Sequence, residues 1–328
     1  MKNTLANFCY QLRKHIFLFT HSLIHFQKGM KHNIFRLHFI FIFLYTSASA
    51  QAVDIEAYKK EMNEWYQKRT HALKAPGGWL NLAGLYWLKE GKNYFGADSA
   101  NELVYAIPGF PSVAGYFELK KGKVQWVSNK GFSVKVDNKP VRRASLYDGK
   151  AHTPPLASWQ SLRWSIIKRD SLLGVRLRDL EHPAVTGFTQ IDYYPLDTIW
   201  RIRAKFEARE NDSLRITNMI GQTYKQKSPG RIHFNIAGNE YTLDALENTG
   251  DDLFIIFADA TNGLETYGSG RYIYIPKADA HGDIILDFNQ SINPPCVFTA
   301  FATCPVPPRQ NRLPFNIEAG EKIYQTGF

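Results

Sequence analysis

The sequence predicts a mainly β protein with one N-terminal helix, arranged as a two-layer β-sandwich or a barrel-like β domain. A helical pattern of apolar residues occurs once, near residue 55, and short strand-like runs separated by turn residues follow it to the end of the chain. With 44% hydrophobic and 14% aromatic residues among 328, the chain can build a conventional core. No fixed-period repeat is visible, which argues against a propeller or a solenoid.

The first fifty residues are typical of a leader rather than of a folded segment. Met1–Ala50 contains six Lys/Arg and no Asp or Glu. From Met30, a basic start precedes the apolar run Leu37–Tyr45 and the cleavage pattern Ala48-Ser49-Ala50. This run is roughly half the ~20 residues that a membrane-spanning helix needs. We therefore expect Met30 to be the true start, and the mature protein to be exported, periplasmic or extracellular, with no stable membrane span.

Removal of the leader changes the charge of the protein. The whole chain has a formal net charge of +10, which suggests a nucleic-acid partner. The chain from Gln51 onward has 34 Lys/Arg and 30 Asp/Glu, a net charge of +4. Together with export, this charge argues against nucleic acid and leaves a small molecule or a glycan as the expected ligand.

Residues 51–78 are predicted to form the N-terminal helix and a turn. Asp54 is suited to cap a helix that runs to about Leu73 and ends before Ala75-Pro76-Gly77-Gly78. Spacings of three and four residues place a set of apolar side chains on one face. These are Ile55, Tyr58, Met62, Trp65 and Tyr66.

Residues 79–328 are predicted to form the β-rich domain. Trp79–Phe95 is apolar without a clear period, and we expect a compact buried motif there. Tyr116–Leu119 and Val124–Val127 flank a Gly-containing turn and indicate a hairpin. Two sheet systems divided near residue 197 and one continuous two-layer domain both fit the pattern. The other predicted strands are Leu103–Ile107, Phe132–Val136, Leu162–Lys168, Gly174–Arg178, Phe188–Tyr193, Trp200–Glu207, Ser213–Ile220, Arg231–Ile236, Asn239–Ala245, Leu253–Phe257, Arg271–Ile275 and Ile284–Phe288.

Several familiar catalytic motifs are absent. There is no Gly-x-Ser-x-Gly nucleophile elbow and no Gly-rich phosphate loop before a helix. The histidines after residue 50 are scattered without a ligand spacing. The sequence therefore predicts no cofactor and no metal site.

The candidate site lies between Leu253 and Glu321, where polar residues follow predicted strands. Carboxylates beside an arginine can provide an acid and a base of different pKa, so Asp259, Glu265, Asp287 and Arg271 are the candidate catalytic residues. The alternative is structural, with Arg271 in a buried ion pair with Asp287 or Glu265. The candidate ligand-binding residues of this region are Thr261, Tyr267, Asn289, Asn293 and Arg312.

An arginine pair and a cysteine pair each allow two interpretations. Arg176 and Arg178 share one strand face and can clamp a carboxylate or phosphate, or else belong to a solvated face. Cys296 and Cys304 are spaced for a disulfide in an oxidising compartment, and two buried thiols are the alternative.

The sequence resembles a widespread prokaryotic family that is known as a domain of unknown function. The resemblance covers essentially the whole chain after the leader. It implies that the matching residues form one module, and it brings no activity with it. The residues that carry it are Trp79–Gly96, Asp259–Arg271, Leu286-Asp287-Phe288-Asn289, Asn293-Pro294-Pro295-Cys296, Phe301-Ala302-Thr303-Cys304-Pro305, Asn311-Arg312-Leu313-Pro314 and Ala319-Gly320-Glu321.

Three functions fit these observations. The first is an exported hydrolase that acts on an envelope or carbohydrate-like substrate through the carboxylate and arginine site. The second is a non-catalytic binding module that holds a ligand with aromatic side chains and arginines. The third is a structural protein in which the motif residues only join two β layers. The sequence leaves open whether the protein is an enzyme.

Overall fold

Our computed structural model describes residues 54–149, 153–169 and 171–324. The predicted leader and its cleavage site lie outside this part of the chain. Within it, no helix is both long enough and apolar enough to cross a membrane.

The predicted N-terminal helix is present as α1, Ile55–Lys74. The carboxylate of Asp54 accepts hydrogen bonds from the backbone N–H groups of Glu56 and Ala57, which satisfies donors that the start of a helix leaves free. The helix buries Tyr58, Met62 and Leu73 along one face. The cap and the apolar spacing thus predicted the helix correctly, although Ile55 of the predicted apolar face is 48% exposed.

The first eleven strands form two sheets, which together make up the first β part. They are β1 Leu82–Trp87, β2 Gly91–Gly96, β3 Leu103–Val104, β4 Gly115–Lys120, β5 Lys123–Ser128, β6 Val134–Val136, β7 Lys139–Val141, β8 Arg143–Tyr147, β9 Ala157–Trp159, β10 Leu162–Arg169 and β11 Leu172–Asp179. One sheet has the order β1-β11-β10-β9-β6-β7 and the other β3-β2-β4-β5-β8. The pairs are antiparallel except for β2 and β3, which are parallel.

The remaining strands form the second β part. After the short helix α2, Pro183–Gly187, they are β12 Arg201–Thr217, β13 Thr223–Ile236, β14 Asn239–Ala245, β15 Leu253–Phe257, β16 Arg271–Ile275 and β17 Asp283–Asp287. β14-β13-β12-β17 make a four-stranded sheet, and β15 pairs with β16. The mainly β class with one N-terminal helix is confirmed.

Each β part has its own hydrophobic core. In the first, Trp126 and Trp164 are buried beside Phe95, and the ring centroids of Phe95 and Trp164 lie 5.6 Å apart. In the second, the buried rings of Phe257 and Phe288 lie 5.4 Å apart. Large aromatic side chains of this kind supply most of the burial energy of a core. The division near residue 197 stays a prediction.

Two strand predictions were wrong in instructive ways. Phe188–Tyr193 is not a strand: it is irregular chain after α2 that forms one isolated bridge, from Tyr193 to Glu321. The two strands predicted on either side of residues 208–212 are one strand, β12. Between them the pairing with β13 shifts register, and Asn211 has a φ of 57°. A bulge of this kind keeps the strand continuous while it interrupts the alternating pattern.

A histidine links three strands of the four-stranded sheet and makes stability depend on pH. His233 Nε2 lies 2.8 Å from Glu207 Oε2, and His233 Nδ1 lies 2.9 Å from Glu240 Oε1. These hydrogen bonds, to Glu207 first and then to Glu240, raise the pKa of His233. Because the folded pKa lies above the unfolded one, the contribution is complete below about pH 6.5 and is lost as the pH rises through the folded pKa.

We therefore expect His233→Gln to destabilise the protein more at about pH 5.5 than at about pH 9, on either side of the ordinary histidine pKa. Urea unfolding at the two pH values measures this difference. His281→Gln, at an exposed histidine in a turn, is the control variant against which the effect of His233→Gln is compared. An equal effect of His233→Gln at both pH values would contradict the linkage.

Candidate functional site

The residues predicted to be catalytic do not meet in one pocket. Asp259 and Arg271 form an ion pair in which Arg271 Nη2 lies 2.7 Å from Asp259 Oδ2, and neither side chain is exposed. The antiparallel register of β15 and β16 places Phe257 opposite Arg271, which brings the residues after β15 close to the start of β16. The guanidinium lies over the Phe257 ring at 5.3 Å. The partner of Arg271 is therefore Asp259, neither Asp287 nor Glu265.

Both members of this pair are held by further hydrogen bonds. Arg271 donates to the carbonyl oxygens of Ile317, at 2.8 Å, and of Ala319. Asp259 Oδ1 accepts from the backbone N–H and the hydroxyl of Thr261, at 2.9 and 2.6 Å. Burial lowers the pKa of Arg271, and the charge of Asp259 opposes that shift. With Arg271 fully enclosed, the pair joins the β15–β16 loop to the segment before Glu321.

Asp287 lies in a second buried polar cluster, under α1. Tyr58 of α1 donates its hydroxyl to Asp287 Oδ2 at 2.7 Å, and the backbone N–H of Asn289 donates to Oδ1 at 3.0 Å. Arg201 Nε lies 3.7 Å from Asp287 Oδ2. Burial raises the pKa of Asp287, while the hydrogen bonds from Tyr58 and Asn289 oppose the rise. This carboxylate anchors α1 to the end of β17.

A third buried carboxylate, Glu321, also binds α1. Arg69 of α1 donates from Nε to Glu321 Oε1 at 2.8 Å, and the backbone N–H of Asn293 donates to Oε2 at 2.6 Å. The side chain of Glu321 is not exposed and that of Arg69 is only 13% exposed. Two of the predicted motifs therefore meet here, because Asn293 begins one and Glu321 ends another.

The other predicted site residues are dispersed. Glu265 is exposed and pairs with Lys322 at 2.9 Å, while Arg312 lies on a different surface beside His233. Arg176 and Arg178 lie on β11 in the first β part. Thr261 donates a hydrogen bond to Asp259, and Asn289 donates one to Asp287. The backbone carbonyl of Tyr267 accepts a hydrogen bond from Asn262. Among the described residues, no group of three or more His, Cys, Asp or Glu side chains is placed to hold a metal ion.

The two cysteines are paired. Cys296 and Cys304 form a disulfide with their Cα atoms 6.1 Å apart. Cys304 is buried in a small apolar cluster with Ile216 and Ile256. The bridge closes the loop that carries Thr299 and Phe301.

A cleft lies beside α1, and its wall includes Tyr193, which forms an isolated bridge with the buried Glu321. We call it the α1 cleft; its volume is about 640 Å³. The rings of Tyr66 and Tyr193 lie in its wall with centroids 4.0 Å apart, and burial raises the pKa of Tyr66 to about 12, so that its phenol is neutral near pH 7. The lining residues are Tyr66, Gln67, Thr70, His71 and Lys74 of α1 and Thr189, Gln190, Ile191, Asp192 and Tyr193.

A second cleft adjoins the first. It has a volume of about 460 Å³ and shares Thr189, Gln190 and Asp192 with the α1 cleft. Glu265 and Lys322 form part of its wall. The segment 189–193 thus separates two clefts, and backbone hydrogen bonds fix it: Lys322 N–H donates to the Asp192 carbonyl at 2.8 Å and Tyr194 N–H to that of Gly320 at 3.0 Å.

This geometry belongs mostly to one segment of recognisable sequence. A DUF1684 domain is found at residues 186–322. The family is described as "Protein of unknown function (DUF1684)", and its match covers less than half of the chain. The match confirms the expectation that this part of the chain resembles a domain family of unknown function. The match is narrower than expected, however, because it leaves out Trp79–Gly96.

Two other comparisons add little. No curated protein matches this chain. One similar solved structure is the solution NMR structure of an uncharacterised protein of Haloarcula marismortui, which is 26% identical, covers 42% of this chain and 78% of its own, and has a TM-score of 0.36.

Sequence reasoning missed most of the cleft residues. On a helix, Tyr66, Thr70 and Lys74 lie four residues apart and therefore on one side, a signal that was available. The segment 189–193 gave the wrong signal, since its apolar and aromatic residues resemble a strand. The polar groups that line the cleft therefore come from α1 and from the loop between α2 and β12. The carboxylates Asp259, Asp287 and Glu321, which also lie within residues 186–322, are buried.

Proposed function

We propose that the protein is an exported, non-catalytic binding protein that holds a small glycan or a similar sugar-like molecule in the α1 cleft. The observation that carries this proposal is the cleft itself, which has a volume of about 640 Å³ and is lined by two tyrosines in contact, with their rings tilted by 37°, and by a set of amide, hydroxyl and charged side chains. Ligand sites of roughly 300–1,000 Å³ with apolar walls and a few polar groups are usual for small molecules.

The buried carboxylates favour binding over hydrolysis. A general acid or base must come within hydrogen-bond reach of the group that it protonates or deprotonates. Asp259 is enclosed with Arg271, and Asp287 with Tyr58 and Asn289. Glu265 is the one candidate carboxylate among these that lines a cleft, and it is paired with Lys322. An acid and base pair facing one ligand is not assembled from the predicted residues.

The aromatic walls favour a sugar-like ligand. A tyrosine offers an apolar ring face together with a polar hydroxyl, which suits a molecule that has both C–H faces and hydroxyl groups. Gln67, Gln190 and Asp192 add amide and carboxylate groups that can fix the orientation of hydroxyls. Both signs of charge are present, from Lys74 and Asp192, so the cleft does not select strongly for an ion.

Export is part of the same proposal. It rests on the leader pattern at residues 30–50 and on the disulfide between Cys296 and Cys304, since structural disulfides persist mainly in oxidising compartments. Glycans of the cell envelope are met in such a compartment.

We expect Tyr66→Ala to weaken the binding of a matching oligosaccharide by at least about tenfold, equivalent to 1.4 kcal/mol, because an aromatic wall of the cleft is lost. The test screens the mature protein by thermal shift against a panel of neutral oligosaccharides, and then measures affinity by isothermal titration calorimetry.

The matched control is Tyr94→Ala. Tyr94 is also a partly exposed tyrosine in contact with another, Tyr116, but it lies on β2 in the first β part. This variant should bind as the wild type does. If no oligosaccharide stabilises the protein, or if both variants lose affinity equally, the α1 cleft is not the ligand site.

A further inference from the structure

One arginine of the first β part has no acceptor for its hydrogen bonds. The alternation of β11 points Val175 and Leu177 into the core and places Arg176 and Arg178 on the opposite face. Arg178 is satisfied, because it donates to the carbonyl of Gly78 and, at 2.7 Å, to Asn81 Oδ1. The side chain of Arg176 forms no hydrogen bond or ion pair with the described residues, and its buried Nε has no partner.

The surroundings of Arg176 are apolar and positively charged. The guanidinium carbons of Arg176 and Arg178 both lie 5.9 Å from the centre of the Trp79 ring. Trp79 in turn packs against the apolar cluster of the second β part that contains Ile216 and Cys304. Arg176 therefore lies at the seam between the two β parts, and we call this place the Arg176 seam.

No described carboxylate neutralises this seam. Neither Arg176, Arg178 nor the nearby Arg169 forms an ion pair with any described Asp or Glu. Burial lowers the pKa of Arg176 to about 10, and the like charges of Arg169 and Arg178 contribute to the fall. A guanidinium is costly to bury unless an anion or several acceptors surround it.

We propose that the Arg176 seam binds a small phosphate-type oxyanion, either inorganic phosphate or the phosphate of an ester. The planar fork of an arginine matches two oxygens of such a group. Arg176 is only partly buried, so that an anion can reach it from solvent. Arg169 and Arg178 supply further positive charge, which suits an anion with two negative charges better than a single carboxylate. This site is separate from the α1 cleft.

The test is the thermal stability of the mature protein with inorganic phosphate, compared with sodium chloride at equal ionic strength. We expect phosphate to raise the melting temperature of the wild type, because a ligand that binds only the folded state stabilises it. Arg176→Met should weaken phosphate binding at least tenfold in a calorimetric titration. Arg176→Lys keeps the charge without the fork and should bind less tightly than the wild type but more tightly than Arg176→Met.

Controls separate this site from its alternatives. Arg143→Met, at an exposed arginine of β8, should respond to phosphate as the wild type does. So should Tyr66→Ala, whose cleft is elsewhere. Equal binding of glucose 6-phosphate and phosphate supports a site for the free ion, and tighter binding of the ester supports a phosphate ester. If Arg176→Met responds as the wild type does, or if acetate stabilises as much as phosphate, the proposal is overturned.

Discussion

Arg271→Met is expected to lower the free energy of unfolding by about 3–5 kcal/mol, the usual cost of removing one partner from a buried ion pair. The variant leaves Asp259 charged and enclosed, and it also removes the donors to the carbonyls of Ile317 and Ala319. A loss of this size is a large fraction of the total stability of a typical domain. Urea unfolding, followed by circular dichroism and by tryptophan fluorescence, measures it.

Two variants show whether the loss comes from the stranded charge. Arg312→Met makes the same substitution at an exposed arginine and should change the stability by no more than about 0.5 kcal/mol. The double variant Asp259→Asn, Arg271→Met leaves no uncompensated charge and should lose less than Arg271→Met alone. An Arg271→Met variant as stable as Arg312→Met would refute the role that we give to the pair.

Glu321→Ala is expected to cost about 3 kcal/mol or more, because it leaves the Arg69 guanidinium without its carboxylate partner and the backbone N–H of Asn293 without its acceptor. Arg69 Nη2 keeps only its hydrogen bond to the carbonyl of Asn293, at 3.1 Å. The loss should fall on the attachment of α1, since Arg69 belongs to that helix. Limited proteolysis should therefore cut α1 faster in this variant, and any ligand of the α1 cleft should bind more weakly.

A neighbouring ion pair provides the comparison. Glu265→Ala removes the exposed ion pair between Glu265 and Lys322, the residue that follows Glu321. Losing this exposed pair should cost only about 0–1 kcal/mol. Glu321→Gln keeps an acceptor oxygen and should lie between the two. Proteolysis of α1 that is unchanged in Glu321→Ala would show that the Arg69–Glu321 pair does not hold the helix in place.

The sequence predicted the elements whose signals are local. Asp54 and the apolar spacing of α1 gave the helix, and the turn at Lys121 and Gly122, both with positive φ, gave the β4–β5 hairpin. It failed where tertiary contacts decide. The first half of β13, from Thr223 to Ser228, is mostly polar because it pairs with β12 while largely exposed, so no apolar alternation marks it as a strand.

The candidate site was predicted as a set of residues but not as an arrangement. The polar residues after β15 and β17 were expected to converge. Most of them instead divide among three buried clusters, around Asp259, Asp287 and Glu321, while Glu265 is exposed. Which carboxylate pairs with Arg271 depends on the register between β15 and β16, in which Phe257 lies opposite Arg271. No local sequence pattern contains that register. The contribution of α1 was also hidden, because its partners lie more than 200 residues away.

That separation has a consequence for the order in which the protein can assemble. Tyr58 and Asp287 are 229 residues apart in sequence, and Arg69 and Glu321 are 252 residues apart. Closing such long loops is entropically costly, and contacts of this range are characteristic of slow folding. During synthesis neither contact can form until its C-terminal partner has left the ribosome. The first described element in the chain is therefore among the last to complete its tertiary contacts.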